Sequence, residues 1–354
     1  MIFKKNIFLN NESCKDFRRC VSRAVFFLFL LPAVVANTSA QQRYVFEHQQ
    51  MGTLFRIVLY ASSDSLAQTA TQAAFAKIDA LNASLSDYLN DSELSQLTQA
   101  DSGSVRAVSD PLWEVLRRGQ QMARHSQGAF DLTIGPLSRL WRRAFRRQTF
   151  PEWERIEAAR QRVGYQHLKL QPEKQQVRLL RDSLRFDAGG IAKGYAVDQA
   201  MAVLQNHEIR CALVDGGGDL LAADPPPGMD GWRIQIESLS KADTLSDETV
   251  LLQNGALATS GDTYRYLEWQ GKRYAHIIDP RTGLGVSHGA LVSVYCPDCS
   301  TADALASAVS VVGPEGEWQA LQKHYPKCAI RLLVPEKETG YRQLGSLQLK
   351  KEEK

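Results

Sequence analysis

The chain has 354 residues and a mass of 39.5 kDa, with 44% hydrophobic and 23% charged residues. This ordinary globular composition excludes collagen-like, intrinsically disordered and polytopic membrane proteins. Residues 1–40 contribute six basic and two acidic side chains, so the rest of the chain has 36 basic and 37 acidic residues and a formal charge of −1 instead of +3. Because the remaining chain is nearly neutral, we expect no nucleic-acid partner.

The N-terminal segment has the features of a secretory signal. Basic residues precede an apolar stretch, residues 24–36, and the small residues Thr38 and Ala40 follow it. The stretch has 13 residues, whereas a membrane-spanning helix needs about 20. We therefore predict a signal peptide at residues 1–40 and an exported domain at residues 41–354. An N-terminal anchor that is never cleaved is the alternative.

Periodicity and turn residues predict the elements of the first half of the chain. Apolar residues at helical spacing indicate helices, and short apolar runs between turn signals indicate strands. A capping residue followed by proline marks a helix start. In chain order, we predict strands at Tyr44–Phe46 and Leu54–Tyr60 around the turn Met51-Gly52-Thr53, a helix from Ser63 or Asp64 to Ser84, and a helix from Asp110-Pro111 to about Gly128.

The second half alternates strands, turns and two further helices. Elements follow one another without the regular strand–helix rhythm of a doubly wound sheet. The expected fold class is therefore α+β, as a single domain or as two subdomains. In chain order, we predict a strand at Arg178–Phe186, a helix at Ile191–Leu204, strands at Cys211–Val214 and Trp232–Ile236, strands and turns over Val250–Val294 that include a strand at Tyr274–Ile278, and a helix at Thr301–Val312.

One basic run stands out in the middle of the chain. On a helix its arginines would spread around much of the circumference. The run is a solvated helix face in one interpretation, and a docking site for an acidic partner or anionic lipid in the other. Its members are Arg139, Arg142, Arg143, Arg146 and Arg147, with Trp141 and Phe145 between them.

Four cysteines follow the leader, namely Cys211, Cys296, Cys299 and Cys328. In an oxidising compartment, Cys296-Pro-Asp-Cys299 can close a small disulfide, or the two residues remain thiols. A single CxxC without a second pair or matching histidines is a weak zinc signal.

Two segments combine glycine or histidine with charged side chains in a way that suggests chemistry. In Asp187–Gly194, a strand meets a helix across Gly189-Gly190, so backbone amides at the helix start can approach an anion. Lys193, one turn into that helix, can reach a phosphate; a plain strand–helix turn is the alternative. His276 lies in a predicted strand, where a lone histidine is either structural or catalytic.

Asp303 and Ser307 are four residues apart on the last clear helix, so their oxygens project from one face. We expect Asp303 in the first turn, where the helix dipole favours its ionised form. A carboxylate and a hydroxyl are hard-oxygen ligands that suit Mg²⁺, although an aspartate near a helix start can equally be a cap. A phosphate-approach loop and a magnesium site together suggest nucleotide chemistry.

The order of these segments resembles that of the FAD:protein FMN transferases, the ApbE-like flavin transferases. The resemblance extends from about Met51 to Gly313, and it is specific because many short pieces occur in the family's order. They are Met51-Gly52-Thr53, Leu85-Ser86-Asp87-Tyr88, Ser92-Glu93-Leu94, Ala129-Phe130-Asp131, Asp187–Gly194 with Asp198, Gly217-Gly218-Asp219, Thr259-Ser260-Gly261, His276–Gly283 and Ala302-Asp303-Ala304.

The resemblance implies a periplasmic enzyme, attached to the inner membrane in some cases, that cuts FAD at its pyrophosphate. FMN would pass through a phosphoester bond to a threonine of a client, typically a flavin-carrying subunit of a membrane redox complex, with release of AMP. His276 would be the base. Mg²⁺ would be held by Asp303, Ser307 and the backbone carbonyl of Gly190. FAD would be bound by Met51, Tyr88, Ala129, Phe130, Asp131, Asp187 and Lys193.

One departure and two alternatives accompany the resemblance. Ser307 stands where the family pattern usually has threonine, so the metal-binding hydroxyl is kept. An FAD pyrophosphatase, in which water replaces the threonine, would use the same metal site. A flavin-binding protein without activity is the other alternative, and the intact Asp303 and Ser307 argue against it.

Overall fold

A computed structural model describes residues 41–239, 245–261, 266–336 and 340–351. These residues belong to one unit of the chain, Ala40–Lys354. The predicted leader, residues 1–40, lies outside the described residues. Within those ranges, every helix is too short or too polar to cross a membrane.

Several helices begin where a polar side chain caps the first turn. Ser63 accepts a hydrogen bond from the N–H of Leu66, and Asp298 caps a later helix in the same way. The described α-helices are α1 (Asp64–Leu85), α2 (Glu93–Thr98), α3 (Asp110–His125), α4 (Gly135–Arg147), α5 (Trp153–Arg160), α6 (Ala192–Asn206), α7 (Cys299–Val312) and α8 (Trp318–Lys323).

The strands form one large sheet and three small ones. They are β1 (Gln42–Gln50), β2 (Thr53–Ala61), β3 (Val105–Ala107), β4 (Leu168–Gln171), β5 (Gln176–Leu179), β6 (Ala212–Gly216), β7 (Leu220–Ala222), β8 (Trp232–Leu239), β9 (Leu245–Leu252), β10 (Gly255–Gly261), β11 (Tyr266–Trp269), β12 (Lys272–Ala275), β13 (Leu291–Cys296), β14 (Ala329–Glu336), β15 (Gly340–Gly345) and β16 (Lys350–Lys351). The large antiparallel sheet has the order β1-β2-β6-β7-β10-β13-β14-β15, and the small sheets are β3-β5-β4, β16-β9-β8 and β11-β12.

Helices α1, α6 and α7 cover one face of the large sheet, and β8 and β9 cover part of the other. Because successive strand residues point to opposite faces, β2 contributes to both cores. Ile57 belongs to the helix-side core, while its neighbour Val58 packs with Trp232 of β8. Gly216, at the end of β6, packs against α6 on this side of the sheet, since a Cβ there would lie 2.7 Å from Val197 Cγ2.

The α+β prediction is confirmed, as are the first hairpin and the helices that became α1, α3 and α6. The predicted strand Arg178–Phe186 is wrong beyond Leu179, where β5 ends. Ser183 adopts a left-handed backbone conformation with φ of 60°. Asp182 accepts a hydrogen bond from the N–H of Ser102 at 2.7 Å. This side-chain contact and the left-handed residue form a turn where the sequence pattern suggested a continuous strand.

Two predicted elements near the candidate site are displaced. Helix α7 begins at Cys299 because Asp298 accepts a hydrogen bond from the Thr301 N–H at 3.0 Å. Asp303 consequently lies in the second helical turn, and the prediction of the first turn is wrong. Strand β12 ends at Ala275, so His276 follows the strand instead of lying within it.

Neither alternative for the pair Cys296 and Cys299 is right, because the two do not bond to each other and only Cys299 remains a thiol. Cys296 ends β13 and forms a disulfide with Cys328, which directly precedes the adjacent strand β14. Cys299 is the first residue of α7 and remains a buried thiol, as does Cys211. The disulfide therefore joins two neighbouring strands and leaves the start of α7 unconstrained by a covalent bond.

Candidate active site

The site begins where the chain enters α6. Asp187 Oδ1 accepts a hydrogen bond from the Gly189 N–H at 2.8 Å, which tightens the turn before the helix. Gly194 lies in the first turn of α6, and a Cβ there would lie 2.4 Å from the carbonyl oxygen of Cys299. Only glycine permits this approach, so the N-terminal turns of α6 and α7 pack directly against each other.

A buried charged cluster joins these two helices. The ammonium of Lys193 forms an ion pair with Asp219 and lies 3.9 Å from Asp303 Oδ2, which also accepts the Gly194 N–H at 3.2 Å. Burial and the neighbouring Asp219 raise the pKa of Asp303 to about 7, and Lys193 only partly opposes this rise. Burial alone would lower the pKa of Lys193, but the two carboxylates raise it above its ordinary value. The ionised cluster carries one net negative charge.

An oxygen donor set lies next to this cluster. A Cβ on Gly190 would lie 3.0 Å from Ser307 Oγ and 3.2 Å from the ring of Phe130. Asp303 Oδ1 and the Ser307 hydroxyl have no hydrogen-bond partner within the described ranges. These are hard oxygens beside a net negative charge, a set that suits Mg²⁺ when substrate oxygens and water complete its shell. No group of three or more His, Cys, Asp or Glu side chains suited to a metal occurs among the described residues.

The hairpin turn predicted at Met51 contacts the glycine segment that follows β6. Met51 and Gly52 both have positive φ, at 52° and 74°, as a tight hairpin turn requires. A Cβ on Gly217 would lie 2.0 Å from Thr53 Oγ1. This close packing places the Met51 turn next to the segment that carries Asp219.

Ala129, Phe130 and Asp131 form a buried loop after α3. Both carboxylate oxygens of Asp131 are used within the protein, Oδ1 by the N–H and hydroxyl of Thr133 and Oδ2 by the N–H of Tyr165. Asp131 therefore fixes the loop that holds the Phe130 ring against Gly190. Burial raises the pKa of Asp131 despite these hydrogen bonds.

His276 is exposed, and hydrogen bonds fix the residues before and after it in the chain. The Ala275 N–H donates to the Val286 carbonyl at 2.8 Å, and the Val286 N–H donates to the Ile277 carbonyl at 2.9 Å. Both residues that flank His276 are thus held by Val286, and His276 itself is exposed. Ala275 and Val286 share a small apolar cluster with Ala129. His276 is therefore placed beside the loop that carries Phe130.

Arg142 of α4 connects the remaining predicted FAD residues. Its guanidinium donates to Asp87 Oδ2 at 2.5 Å and to Asp187 Oδ2 at 2.8 Å. The same group lies 4.3 Å from the ring centroid of Tyr88, whose residue is 73% exposed. Burial and repulsion by Asp187 raise the pKa of Asp87 to about 6, against the attraction of Arg142. One arginine thus holds Tyr88 and Asp187 in a single assembly.

Asp198, part of the family-like sequence pattern, positions the start of α7. Its two carboxylate oxygens accept the N–H groups of Cys299 at 2.7 Å and Ser300 at 2.9 Å. Burial raises its pKa to about 6, which these hydrogen bonds oppose. Asp198 therefore acts on the site through the helix that carries Asp303 and Ser307.

Contacts bring most predicted site residues into connected groups. Gly190, Ser307 and Phe130 meet at the oxygen donor set, and Lys193 meets Asp303 in the charged cluster. Tyr88 and Asp187 are joined through Arg142 instead of touching the cluster. The proposed set of site residues omitted Arg142, Asp219 and Asp198. The family-like pieces Gly217-Gly218-Asp219 and Asp198 pointed to two of them, but the arginine run gave no sign that Arg142 faces inward.

The ApbE family model matches residues 51–332. The chain belongs to the ApbE family. It is 30% identical over 289 residues to the FAD:protein FMN transferase of Escherichia coli (strain K12), covering 79% of this chain and 81% of that one. The corresponding Vibrio cholerae protein is 33% identical over 285 residues, with coverage of 77% and 81%.

Solved structures of the family have the same fold. The apo form of the Pseudomonas stutzeri flavinyl transferase ApbE matches with a TM-score of 0.76 and 30% identity, covering 87% of this chain and 95% of that one. The flavin transferase ApbE from Vibrio cholerae matches with a TM-score of 0.77 and 29% identity, with coverage of 86% and 97%.

Proposed function

We propose that this member of the ApbE family is a Mg²⁺-dependent FAD:protein FMN transferase. Transfer of FMN from FAD to a client protein is the activity for which its relatives are named. The acceptor group is a threonine hydroxyl, the new bond is a phosphoester, and AMP is released. The observation that best supports this proposal is the charged cluster of Lys193, Asp219 and Asp303, which lies beside the oxygen donors of Gly190 and Ser307.

FAD binds between the Arg142 assembly, which holds Tyr88 and Asp187, and the charged cluster around Lys193. Tyr88 offers an exposed ring on which a flavin or adenine can stack, with its position set by Arg142. Met51, Ala129, Phe130, Asp131 and Asp187 shape the surrounding walls. Lys193 lies 3.9 Å from Asp303 Oδ2 at the start of α6, so its ammonium can contact a pyrophosphate whose oxygens reach Asp303 and Ser307.

Asp303, Ser307 and the carbonyl of Gly190 would hold Mg²⁺, with substrate oxygens and water completing its shell. When bound, the ion neutralises charge on the pyrophosphate and stabilises the departing AMP. The ammonium of Lys193 hydrogen-bonds to Asp219 and not to Asp303. The Gly194 N–H binds only Oδ2 of Asp303, so Oδ1 of that carboxylate has no hydrogen-bond partner among the described residues and is available to the ion.

His276 acts as the general base. Its imidazole accepts the proton of the threonine hydroxyl while the hydroxyl oxygen bonds to the phosphorus of the FMN half. The bond between that phosphorus and the bridging oxygen breaks, and AMP leaves with the electron pair. The exposure of His276 supports this role because a protein-borne hydroxyl must reach it from outside.

The predicted leader and the disulfide support an exported location, and the family resemblance implies the class of client. A signal peptide at residues 1–40 sends the domain of residues 41–354 to the periplasm, where an attachment to the inner membrane would place it near its clients. The Cys296–Cys328 disulfide supports export, since such bonds persist in oxidising compartments. The clients are flavin-carrying subunits of membrane redox complexes.

The test uses the purified exported domain, FAD, Mg²⁺ and a threonine-containing fragment of a candidate client. A fluorescent client band on a denaturing gel, with a mass gain equal to FMN, is expected, and it should disappear with EDTA or with Asp303→Ala. A dark band with free FMN and AMP in solution would instead identify an FAD pyrophosphatase. A dark band with intact FAD for every candidate client would contradict both activities.

A further inference from the structure

Arg118 of α3 is bound to the first residues of α7. Its Nη1 donates to Asp298 Oδ1 at 2.7 Å and to the Ser300 hydroxyl at 2.7 Å, across separations of 180 and 182 residues. Asp298 is the cap of α7, and Ser300 is fully buried in the first turn of that helix. A side chain of one helix therefore holds both the cap and the first turn of another.

The cap itself is an ionised carboxylate. The Ser300 hydroxyl donates to Asp298 Oδ1 at 2.9 Å, and the same oxygen accepts the Thr301 N–H at 3.0 Å. Burial would raise the pKa of Asp298, but these hydrogen bonds and the charge of Arg118 hold it below its ordinary value. The contact between Arg118 and the cap is therefore a charge-assisted hydrogen bond, which is stronger than a neutral one.

Glu114 fixes the guanidinium of Arg118 on the α3 side. Glu114 Oε1 accepts a hydrogen bond from Arg118 Nε at 2.6 Å, one helical turn away. A guanidinium is planar and rigid, so contacts at Nε and at Nη1 determine its orientation as well as its position. Arg118 therefore holds the start of α7 at a defined position relative to α3.

Helix α3 also packs against the loop that carries Phe130. A Cβ on Gly119, which follows Arg118 in the chain, would lie 2.2 Å from Leu132 Cδ1. Leu132 belongs to the same loop as Phe130, whose ring lies against Gly190. Two neighbouring residues of α3 thus contact the start of α7 and the loop beside the oxygen donor set.

The first turn of α7 is held from two helices. Asp198 of α6 accepts the N–H groups of Cys299 at 2.7 Å and Ser300 at 2.9 Å, whereas Arg118 of α3 binds the cap and the Ser300 hydroxyl. Because these attachments come from different helices, together they oppose both a shift of α7 and its rotation about its own axis.

The orientation of α7 matters because Asp303 and Ser307 project from it. A helix with its side chains has a radius of about 5–6 Å, so a rotation of about 10° would move a side-chain tip by about 1 Å. Mg²⁺ tolerates little displacement, since it requires nearly octahedral ligands at about 2.0–2.1 Å. A small rotation of α7 would therefore weaken an ion held by these two residues.

We propose that Arg118 is a positioning residue for the magnesium ligands of α7. The inference rests on the proposed function, because it takes Asp303 and Ser307 as ligands of Mg²⁺. Arg118 acts through the Asp298 cap and Ser300 and is not itself a ligand. Without its guanidinium, α7 loses its attachment to α3, and the ligand oxygens are no longer held in the geometry that the ion requires.

The experiment compares Arg118→Ala with Arg117→Ala in the exported domain. Arg117 is the matched control because it neighbours Arg118 and pairs with the same Glu114 at 2.8 Å, but makes no hydrogen bond or ion pair with the described residues of α7. Mn²⁺ replaces Mg²⁺, so that the free ion can be measured by electron paramagnetic resonance with FAD present and no acceptor. Asp303→Ala identifies the ion that is bound at the proposed site.

We expect Arg118→Ala to raise the Kd for Mn²⁺ about 10-fold, and Arg117→Ala to leave it within about twofold of wild type. The Kd for FAD, measured in EDTA, should be that of wild type in both variants. A variant that is only less stable, but still folded, keeps the wild-type Kd for Mn²⁺, so this constant separates positioning from a general structural role. Equal Mn²⁺ affinities of Arg118→Ala and Arg117→Ala would overturn the proposal.

Asp298→Ser provides a second test if Arg118→Ala does not fold. Serine still caps a helix, but it lacks the carboxylate that Arg118 binds. The Kd for Mn²⁺ should therefore rise in this variant too, and a wild-type value would overturn the proposal. Where both single variants fold, the double variant should bind Mn²⁺ no more weakly than Arg118→Ala, because both changes remove one contact. Additive losses would contradict a role that acts through Asp298.

FMN transfer is measured separately from ion binding. If wild-type enzyme binds Mn²⁺ through Asp303 but transfers no FMN, the proposed activity fails, while the comparison of Arg118→Ala with Arg117→Ala still decides the positioning role. If Asp303→Ala binds Mn²⁺ like wild type, the ion is held elsewhere. That result would overturn both the assigned metal site and the positioning role of Arg118.

Discussion

Ser307 faces Gly190 so closely that a Cβ on the glycine would lie 3.0 Å from the Ser307 hydroxyl oxygen. Asp303, one helical turn before Ser307, points to the same region. The close approach brings a side-chain hydroxyl of α7 and the backbone of the turn before α6 together. It is the geometric basis for assigning these residues to Mg²⁺.

Ser307→Ala removes one oxygen donor from this set without changing the packing of α7. We expect the Mg²⁺ concentration for half-maximal FMN transfer to rise about 10-fold, because a ligand must be replaced by water. Ser307→Thr keeps the hydroxyl and should retain the wild-type value. A Mg²⁺ titration of transfer activity checks both variants. Equal Mg²⁺ dependence of Ser307→Ala and wild type would remove Ser307 from the metal site.

Arg142 should control FAD affinity through the two carboxylates that it bridges. Arg142→Lys keeps the charge but lacks the planar guanidinium that spans Asp87 and Asp187 and lies against the Tyr88 ring, so the assembly around Tyr88 should loosen. We expect the Kd for FAD to rise about 10-fold, which corresponds to about 1.4 kcal/mol. Quenching of flavin fluorescence measures it. Arg143→Lys, at the exposed neighbouring position, is the control and should bind FAD like wild type.

The sequence predicted the features that depend on neighbours in the chain. The Met51 hairpin, the Ser63 cap and the spacing of Asp303 and Ser307 are local, and each was found where expected. The Asp298 cap was also local, and the residue type alone could have identified it as the start of α7.

The features that were missed depend on residues far apart in the chain. Arg142 meets Asp87 and Asp187 across separations of 55 and 45 residues, and Cys296 meets Cys328 across 32. Likewise, His276 leaves its strand because Val286 pairs with both of its neighbours. Helical periodicity marked Arg142 as one of several surface arginines. A periodic pattern carries no information on which residues of other elements, here Asp87 and Asp187, a side chain will contact.

Asp87 should make the stability of the domain depend on pH in the acidic range. Its pKa is about 6 in the folded chain, against an ordinary value of 3.8. Between about pH 4 and pH 6, the unfolded chain has already released this proton while the folded chain still holds it, so the free energy of unfolding falls as pH rises. Asp87→Asn removes this contribution. From pH 4 to pH 7, the free energy of unfolding of the variant should rise relative to that of wild type by on the order of 2 kcal/mol.

Urea denaturation across this pH range measures the difference between Asp87→Asn and wild type. Titrating groups that do not contact Asp87 affect both proteins alike, so the difference reports Asp87 together with its neighbours Asp187 and Arg142. Asp91→Asn removes an exposed carboxylate of the same loop and is the control for the loss of a surface charge. A pH-independent difference between Asp87→Asn and wild type would contradict the raised pKa of Asp87.

The disulfide should join Cys296 to Cys328 in the exported protein. Proteolysis without reductant, followed by mass spectrometry, should yield a peptide linking these two residues, and Cys299→Ser should leave the link intact. Closing a loop of this length stabilises the folded state by about 3–4 kcal/mol, so Cys328→Ser should lower the free energy of unfolding by that amount. A disulfide-linked Cys296–Cys299 peptide would contradict the Cys296–Cys328 bond between β13 and the start of β14.

His276 should be needed for chemistry and not for binding FAD. Its exposed side chain allows it to meet a client hydroxyl, and His276 is not among the residues assigned to FAD, although the neighbouring Ala129 loop is. His276→Ala and His276→Gln should each lower the rate of FMN transfer by about 10²- to 10⁴-fold, because neither side chain accepts the proton. The Kd for FAD should remain within about twofold of wild type. His207→Ala, at the end of α6, should leave both quantities unchanged. Loss of FAD binding together with transfer in His276→Ala would make His276 an FAD contact, and the proton would then require another acceptor.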